Sequence, residues 1–553
     1  MVSRLKLSPV LCAAAGAAAG FYGLSVLFQT GVIGVYGIFA VFLILTATLC
    51  LLRVLVSFPA FYPAKMTGEN SGEDRLLQDQ PPPDFRLLRP LGAASPARAL
   101  SRAIPGGPAN RYAIAFAAGL ALGLSAGRAA ASGISFGIPG HTVKAVSGVL
   151  LEDPRIVSGG RAMVSLSLRE SSGGKGLRVS ARGELPVFFP AESAARLKEF
   201  GRGSLVFAEG YLRVSSRGTE ERASWLFSAE SLHLVKPASA LDRFRTGVRL
   251  DLIRRFDNAP AGNGVSRENG GSRGGLALAL LLGVRDNLDS GLAALYRDAG
   301  CSYVLALSGM HLAVLAGIIA LLLKKPLGPR PAAIAGALII ILYCFIVGPL
   351  PSLTRAALMY LLGALAVLGA LNRDALSLLC MAFLVQIVVS PQSGFSLSFV
   401  LSYLALAGIL SAGESLNGIF RGKAPAFLLG PLSASAGAFL ATAGVTACFF
   451  GTLRPVGIIT GLVLVPLTTA FMIGSLACLA LGLVSPFLAG FLNPALSLLY
   501  VLMEKTVSLA GRFPGLVPGS PPLVIALSLA LWLFLIYFEH RLRITKNRLP
   551  AFA

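Results

Sequence analysis

Long apolar runs separated by short polar segments limit the fold of this chain more than any other feature. A helix that crosses a membrane needs about 20 apolar residues, and fewer where neighbouring helices shield it. Only 13% of the residues are charged, against about 25% in a typical soluble domain. We therefore predict a polytopic α-helical membrane protein with about 12 transmembrane helices. The runs are 7–28, 32–56, 112–130, 303–323, 332–347, 356–371, 375–389, 397–410, 426–450, 458–484, 488–502 and 523–538.

Basic residues collect in short loops between these runs, so the net charge of +22 does not by itself indicate a nucleic-acid partner. Examples are Lys324, Lys325, Arg373 and the basic tail at 541–553. Lys and Arg accumulate on the cytoplasmic side of membrane proteins. This bias predicts cytoplasmic termini and an outward-facing segment after the third helix. The resulting order is a transmembrane hairpin at 1–58, a cytoplasmic Pro-rich loop at 59–111 and a third transmembrane helix at 112–130.

The segment 140–236 has a different texture, with short alternating apolar stretches bounded by Gly, Ser and Pro. Val164, Leu166 and Leu168, for example, alternate with serines, which is the period of a half-buried strand. Five strands are predicted, at 142–151, 162–168, 177–189, 205–214 and 223–235, with one helix at 191–200 between the third and fourth. Five strands with a helix in that position predict a small all-β, OB-fold-like extracytoplasmic domain.

Arginines and lysines in this domain form a candidate surface for single-stranded DNA, since such surfaces combine cations with aromatic rings. The candidates are Arg178, Arg182, Arg196, Lys198, Arg202, Arg213, Arg217 and Trp225, with Tyr211 and Phe189 as further rings. Interleaved glutamates keep the local charge excess small. The alternative, left open by the sequence, is a solvated barrel that only covers the membrane domain.

The segment 241–302 begins with an amphipathic helix at 241–256 and continues as a juxtamembrane linker. Its basic residues are Arg243, Arg245, Arg249, Arg254 and Arg255. A helix of this kind lies in the membrane interface, with its cationic side toward lipid headgroups. Contact with a passing polyanion is the alternative.

A Ser-Gly-Met-His motif at 308–311 opens the next apolar run. It resembles the signature of the ComEC-type competence proteins, and further blocks follow in the family's order. These are Leu-Gly-Val-Arg-Asp-Asn-Leu at 282–288, Thr-Arg-Ala at 354–356, Arg-Asp at 373–374, Gly-Phe-Ser-Leu-Ser-Phe at 394–399 and the block 449–466. The chain departs from the family pattern at three positions: Tyr303 stands for a usual histidine, Ser396 for Gln and Gly461 for Asn.

The resemblance implies an inner-membrane channel that takes up single-stranded DNA during natural transformation in bacteria. The channel domain would span 303–540. Implied partners are single-stranded DNA, membrane lipids, an outer DNA receptor and a cytoplasmic ATP-driven translocase. No oligomeric state follows from the sequence.

Polar residues near the starts of the apolar runs are the candidate channel lining. A phosphodiester strand carries one charge per nucleotide, so its path has to be wet and lined with donors or cations. The candidates are Ser308, Gly309, His311, Thr354, Arg355, Ser396, Ser398 and Tyr403. Hydrogen bonding between helices is the alternative role for the serines.

The sequence contains none of the motifs expected for several kinds of chemistry. Many relatives carry a metallo-β-lactamase-like nuclease domain, but the four histidines here (His141, His233, His311 and His540) form no HxHxDH cluster. No nucleotide-binding GxxxxGK[ST] motif is present. The seven cysteines contain no CxxC pair. We therefore expect a transport protein and not an enzyme, with no nuclease domain, metal or cofactor.

Two rival functions remain open. Ser308 and His311 would suit an intramembrane serine protease, but Ala306 replaces the first Gly of a rhomboid-like Gly-x-Ser-Gly motif. The spacing also provides no oxyanion hole. A secondary transporter or lipid-handling permease is the other rival, although such folds usually show inverted repeats, and we find no convincing repeat.

Overall fold

A computed structural model describes most of the chain after residue 133. The described residues are 14–18, 119–125, 134–157, 161–173, 178–190, 201–214, 225–257, 267–285, 288–307, 309–348, 350–370 and 374–548. All of the predicted N-terminal hairpin except residues 14–18, the whole Pro-rich loop and most of the third helix lie outside these residues, as does the predicted helix at 191–200.

Seven strands form one sheet that closes on itself. They are β1 (Val143–Leu150), β2 (Arg155–Val157), β3 (Arg161–Gly173), β4 (Arg178–Ser180), β5 (Glu184–Pro190), β6 (Leu205–Val214) and β7 (Trp225–Lys236). The order β1-β6-β7-β5-β3 is closed by a β1–β3 pairing, and β2 and β4 add to β3. All pairings are antiparallel except β5 with β7.

Alternation of buried and exposed side chains explains why these segments are strands. Ala162, Val164 and Leu166 of β3 are fully buried in the barrel core, while the residues between them face outward. The predicted strand at 177–189 is in fact two strands, because the chain turns at Gly183 with φ +117. A side chain at Gly183 would meet the backbone of Ile134, so glycine suits this turn.

Fifteen helices follow the barrel among the described residues. They are α1 (Ala240–Asp257), α2 (Arg267–Leu282), α3 (Ser290–Asp298), α4 (Ser302–Leu305), α5 (Gly309–Leu327), α6 (Pro329–Val347), α7 (Pro351–Leu368), α8 (Ala375–Val389), α9 (Leu397–Gly408), α10 (Glu414–Phe420), α11 (Ala426–Phe450), α12 (Val456–Val484), α13 (Pro486–Gly490), α14 (Asn493–Gly511) and α15 (Pro521–Arg548).

Eight helical segments in this part of the chain are long and apolar enough to cross a membrane. The span that contains the predicted run at 397–410 is longer than predicted, because it continues to Phe420 through a π-helical turn at Ile409–Gly413. The run at 375–389 is a shorter apolar helix. The protein is therefore a multi-pass membrane protein, but the predicted total of about 12 crossings is not shown by the described residues.

Two glycines set the closest approach between helices α9 and α11. A Cβ atom at Gly408 would lie 2.3 Å from the carbonyl oxygen of Gly437, and one at Gly437 would lie 2.6 Å from that of Gly408. Small residues allow this approach of two backbones in membrane helices. The π-helical turn begins at the residue after Gly408.

A sharp break separates α6 from α7. Helix α6 ends at Val347, Gly348 adopts φ +106, and α7 begins at Pro351. Only glycine adopts this backbone conformation without strain, and proline at a helix start gives up no hydrogen bond. The break places Arg355 in the second turn of a new helix.

Candidate functional site

The starts of three helices, α5, α7 and α9, bring polar side chains together in an otherwise apolar bundle. Arg355 comes from α7, Tyr403 from α9, and Gly309 from the first residue of α5. Gln386, near the end of α8, joins them. We call Arg355, Tyr403, Gln386 and Gly309 the polar cluster.

Arg355 is the central charge of the polar cluster. Its side chain is 6% exposed, and its guanidinium carbon lies 5.8 Å from the centre of the Tyr403 ring. Its Nε atom has no hydrogen-bond partner among the described residues, which also offer it no carboxylate. A buried cation normally has an anionic partner. The ring face supplies only part of that compensation, about 1–2 kcal/mol.

Gly309 provides the space that the guanidinium of Arg355 occupies. A Cβ atom at Gly309 would lie 3.2 Å from Nη2 of Arg355 and 3.5 Å from Cβ of Ala356. His311, two residues further along α5, is buried, with 2% of its surface exposed. Ser308 lies outside the described residues, so the predicted pairing of Ser308 with His311 stays a prediction.

Gln386 and Tyr403 form a short hydrogen-bond chain to the start of α7. The Tyr403 hydroxyl donates to Oε1 of Gln386 at 2.9 Å, and Nε2 of Gln386 donates to the carbonyl oxygen of Pro351 at 3.3 Å. Gln386 was not predicted as a site residue from the sequence. A signal was present, since a lone amide within an apolar run between membrane helices needs a polar partner.

The other predicted lining residues have local roles. The Ser396 hydroxyl accepts from the backbone N–H of Phe399 at 3.2 Å and caps α9. The Thr354 hydroxyl donates to the carbonyl oxygen of Leu350 at 3.0 Å. Ser398 is exposed on the outer surface of the described bundle. The Ser396 and Thr354 contacts are local to the ends of their own helices, so they are not the hydrogen bonds between helices that the sequence left open for the serines.

Tyr303 and Gly461, two of the departures from the family pattern, lie against each other. A Cβ atom at Gly461 would lie 2.6 Å from the Tyr303 hydroxyl oxygen. The tyrosine ring at position 303 therefore fits because glycine at position 461 has no side chain. Positions 303 and 461 are 158 residues apart in the sequence, so only the contact between α4 and α12 in the structure reveals this pair.

The predicted DNA-binding residues of the barrel divide into three groups. Arg178, Arg182 and Arg213 are exposed. Arg202 is half-buried, and Trp225 packs edge-on against Phe136 at 5.9 Å, so its ring contributes to the core. The remaining three, Arg196, Lys198 and Arg217, lie outside the described residues.

One exposed aromatic residue stands beside a cation on β6. Tyr211 is 40% exposed, and the guanidinium carbon of Arg213 lies 4.9 Å from its ring centre. Hydrogen bonding with Ser228 and Arg213 lowers the pKa of Tyr211. The pair presents a ring and a positive charge to solvent on the face opposite the barrel core.

A cavity of about 400 Å³ lies elsewhere, between α1 and α12. It is lined mainly by apolar side chains, including Phe244, Leu252 and Leu483. The polar cluster does not contribute to it. Among the described residues, no three His, Cys, Asp or Glu side chains are placed to hold a metal ion.

Comparison with known proteins gives the family. Residues 280–543 match the family model described as Competence protein. The C-terminal half of this chain is a ComEC-type competence-protein domain. This domain contains the whole polar cluster, from Gly309 to Tyr403.

Two relatives of the competence-protein domain show how far the similarity extends. ComE operon protein 3 of Bacillus subtilis (strain 168) is 31% identical over 137 residues, which are 23% of this chain and 17% of the relative. An uncharacterised protein of Aquifex aeolicus (strain VF5) is 28% identical over 232 residues, 41% of this chain and 53% of the relative. The matches thus span about a sixth and about half of these relatives.

Proposed function

We propose that this protein is a channel that conducts single-stranded DNA across the bacterial cytoplasmic membrane during natural transformation. The family match supports a role in competence, and one observation supports the substrate. That observation is the Arg355 guanidinium, which is buried among membrane helices and has no anionic partner among the described residues. Charged residues inside membrane domains mark ion and substrate pathways.

The chemistry of the polar cluster suits a phosphodiester. Arginine presents a planar fork of donors that matches phosphate oxygens. Tyr403 and Gln386 connect the two sides of the site through their hydrogen bond, and Gly309 leaves space for the guanidinium beside α5. One phosphate group at a time would then supply the negative charge that Arg355 lacks.

The described conformation is a closed one. Arg355 and His311 are buried, so a strand that reaches them has to separate α5 from α7 and α9. A water-accessible path forms only in that opened state. This requirement fits a channel that is driven by a partner, because an open aqueous path would leak ions.

We further propose that the closed barrel is an OB-fold on the outer side of the membrane. The strand order β1-β3-β5-β7-β6 with a single parallel pair, β5 with β7, supports this proposal. Stacking of bases on Tyr211 beside Arg213 would capture the strand before it enters. An outer DNA receptor and a cytoplasmic ATP-driven translocase would complete the pathway, with both termini of this chain inside.

A strain that lacks this protein tests the proposal. It is complemented with the wild-type chain, with Arg355→Gln, with Arg355→Lys, or with Arg421→Gln as an exposed-arginine control. We expect cytoplasmic entry of labelled DNA to fall at least tenfold for Arg355→Gln, to be partly retained for Arg355→Lys, and to be unchanged for the control. Membrane levels of each variant are measured by immunoblot.

Full DNA entry with Arg355→Gln at normal membrane levels would refute the role of Arg355. Uptake of a small solute by purified protein in vesicles, without any effect of DNA, would favour a secondary transporter or permease. Labelling by a fluorophosphonate would favour the serine protease.

A further inference from the structure

A buried ion cluster joins the barrel to the membrane helices. Asp153 lies in the turn between β1 and β2, and its carboxylate accepts hydrogen bonds from both Nη atoms of Arg245, at 3.2 and 2.7 Å. Arg249 donates to the same carboxylate at 2.7 Å, and the backbone N–H of Arg202 donates at 3.1 Å. Both arginines belong to α1. We call Asp153, Arg245 and Arg249 the joint.

The same two arginines also hold the end of α6. Nε of Arg245 donates to the carbonyl oxygen of Phe345 at 2.8 Å, and Nη1 of Arg249 donates to that of Val347 at 3.3 Å. Carbonyls in the last turn of a helix have no partner within the helix, and cations there also compensate the helix dipole. The joint therefore provides hydrogen-bond donors to the carbonyl groups at the end of α6, where the helix breaks.

The α1 arginines were predicted to face lipid headgroups, and for two of them this prediction is wrong. Arg245 is only 1% exposed, and Arg249 is largely buried. A carboxylate and two carbonyl groups from distant parts of the chain draw these side chains inward. Arg243, Arg254 and Arg255 remain exposed on α1.

The end of α6 that the joint contacts is close in sequence to Arg355 of the polar cluster. Gly348 follows directly on the carbonyl of Val347, and a Cβ atom there would lie 3.5 Å from Nη2 of Arg245. Pro351 then starts α7, and Arg355 stands one helical turn further on. Any displacement of Asp153 relative to α1 thus acts on the segment that sets the position of α7.

The geometry points to Asp153, Arg245 and Arg249 as positioning residues for DNA passage, which place the α6–α7 break and Arg355 relative to the barrel. This inference rests on the proposed function. The residues themselves touch no DNA. Their effect is to hold the barrel in a fixed position relative to the entrance of the proposed path through the membrane.

Labelling of Cys344 tests the joint without reference to DNA. Cys344 lies one turn before Gly348, whose backbone N–H donates to its carbonyl oxygen. In a chain whose other six cysteines are replaced by alanine, we expect Asp153→Asn to raise the rate of maleimide labelling at least fivefold. Asp251→Asn is the matched control, because it breaks the exposed Arg255–Asp251 pair on the same helix and should leave the rate unchanged.

DNA binding and DNA entry are then measured for the same variants. We expect Asp153→Asn to bind single-stranded DNA with wild-type affinity as purified protein, since the barrel surface is intact, while DNA entry in cells falls about tenfold. Asp153→Glu should restore part of the entry. Arg249→Gln leaves the Arg245–Asp153 pair in place and should reduce DNA entry by a smaller factor. This variant replaces Asp153→Asn in the test if Asp153→Asn does not assemble.

The outcomes separate this inference from the proposed function. Normal DNA entry with Asp153→Asn or Arg249→Gln, despite faster Cys344 labelling, would overturn the positioning role. Unchanged labelling would show that the joint does not hold the α6–α7 break, which also overturns it. A wild-type protein that neither binds nor imports DNA would instead refute the proposed function, and the labelling result would stand by itself.

Discussion

Two buried arginines of this protein are expected to respond in opposite ways to the same substitution. Arg355 and Arg245 are 6% and 1% exposed, but within the part of the chain that the structure describes only Arg245 has a carboxylate partner. Methionine keeps the length and apolar stem of arginine and removes the charge. We predict that Arg355→Met stabilises the protein in the absence of DNA and that Arg245→Met destabilises it.

The magnitudes follow from the contacts. A buried ion without a partner costs several kcal/mol after relaxation, and the Tyr403 ring returns about 1–2 kcal/mol. Arg355→Met should therefore raise the free energy of unfolding by about 2 kcal/mol. Arg245→Met leaves Arg249 and the backbone N–H of Arg202 as the only partners of Asp153 among the described residues, so it should lower that free energy by about 3–5 kcal/mol.

The assay is the unfolding midpoint of purified protein in mixed micelles of increasing SDS fraction, with helicity as the signal. Arg355→Lys is the control that keeps the charge and should not gain stability. Equal destabilisation by Arg355→Met and Arg245→Met would refute the reasoning, because it would mean that Arg355 is already compensated in the DNA-free protein.

Three further predictions concern the Tyr303 contact, the barrel surface and the joint. Gly461→Asn should cost about 1–3 kcal/mol of stability by overpacking, and Tyr303→His in the same chain should recover most of it; equal midpoints for the single and double variants would contradict this. Tyr211→Ala should weaken binding of single-stranded DNA at low salt by at least fivefold in filter binding, whereas Trp225→Ala should act mainly on stability; a binding loss confined to Trp225→Ala would contradict the surface assignment. Burial alone would raise the pKa of Asp153, but the charges of Arg249 and Arg245 and their hydrogen bonds outweigh it and hold the pKa below its ordinary value of 3.8. The stability that the joint contributes is thus complete above pH 3.8 and is lost as the pH falls through the lower, folded-state pKa; pepsin cleavage near residue 238 should rise over that range in the wild type and should already be high in Asp153→Asn at pH 4.5.

The sequence predicted those parts of the site that depend on local pattern. The apolar runs at 332–347 and 356–371 predicted a helix break between them, and the structure places it between Val347 and Pro351. The family motifs predicted Gly309, His311 and Arg355 as functional positions, and those roles stay predictions. The strand at Leu205–Val214 has the bounds that its alternation predicted. In each case the signal lies within a few residues of the feature.

Features that depend on distant partners were not predicted. Arg245 and Asp153 are 92 residues apart, so the periodicity of α1 could not show that an arginine on its polar side faces a carboxylate. Gln386 was missed because its partners, Tyr403 and Pro351, are on other helices. The split of the third predicted strand depends on Ile134, whose approach to Gly183 is a tertiary contact.

The crossing at Gly408 and Gly437 restricts how an aperture can form. The two backbones are in direct contact there, so a change of side-chain rotamer cannot open a gap between them. Separation of α9 from α11 would lose this close packing and leave a gap that no neighbouring side chain fills. We therefore expect α9 and α11 to stay together when the proposed channel opens, so that α5 moves away from α7 and α9.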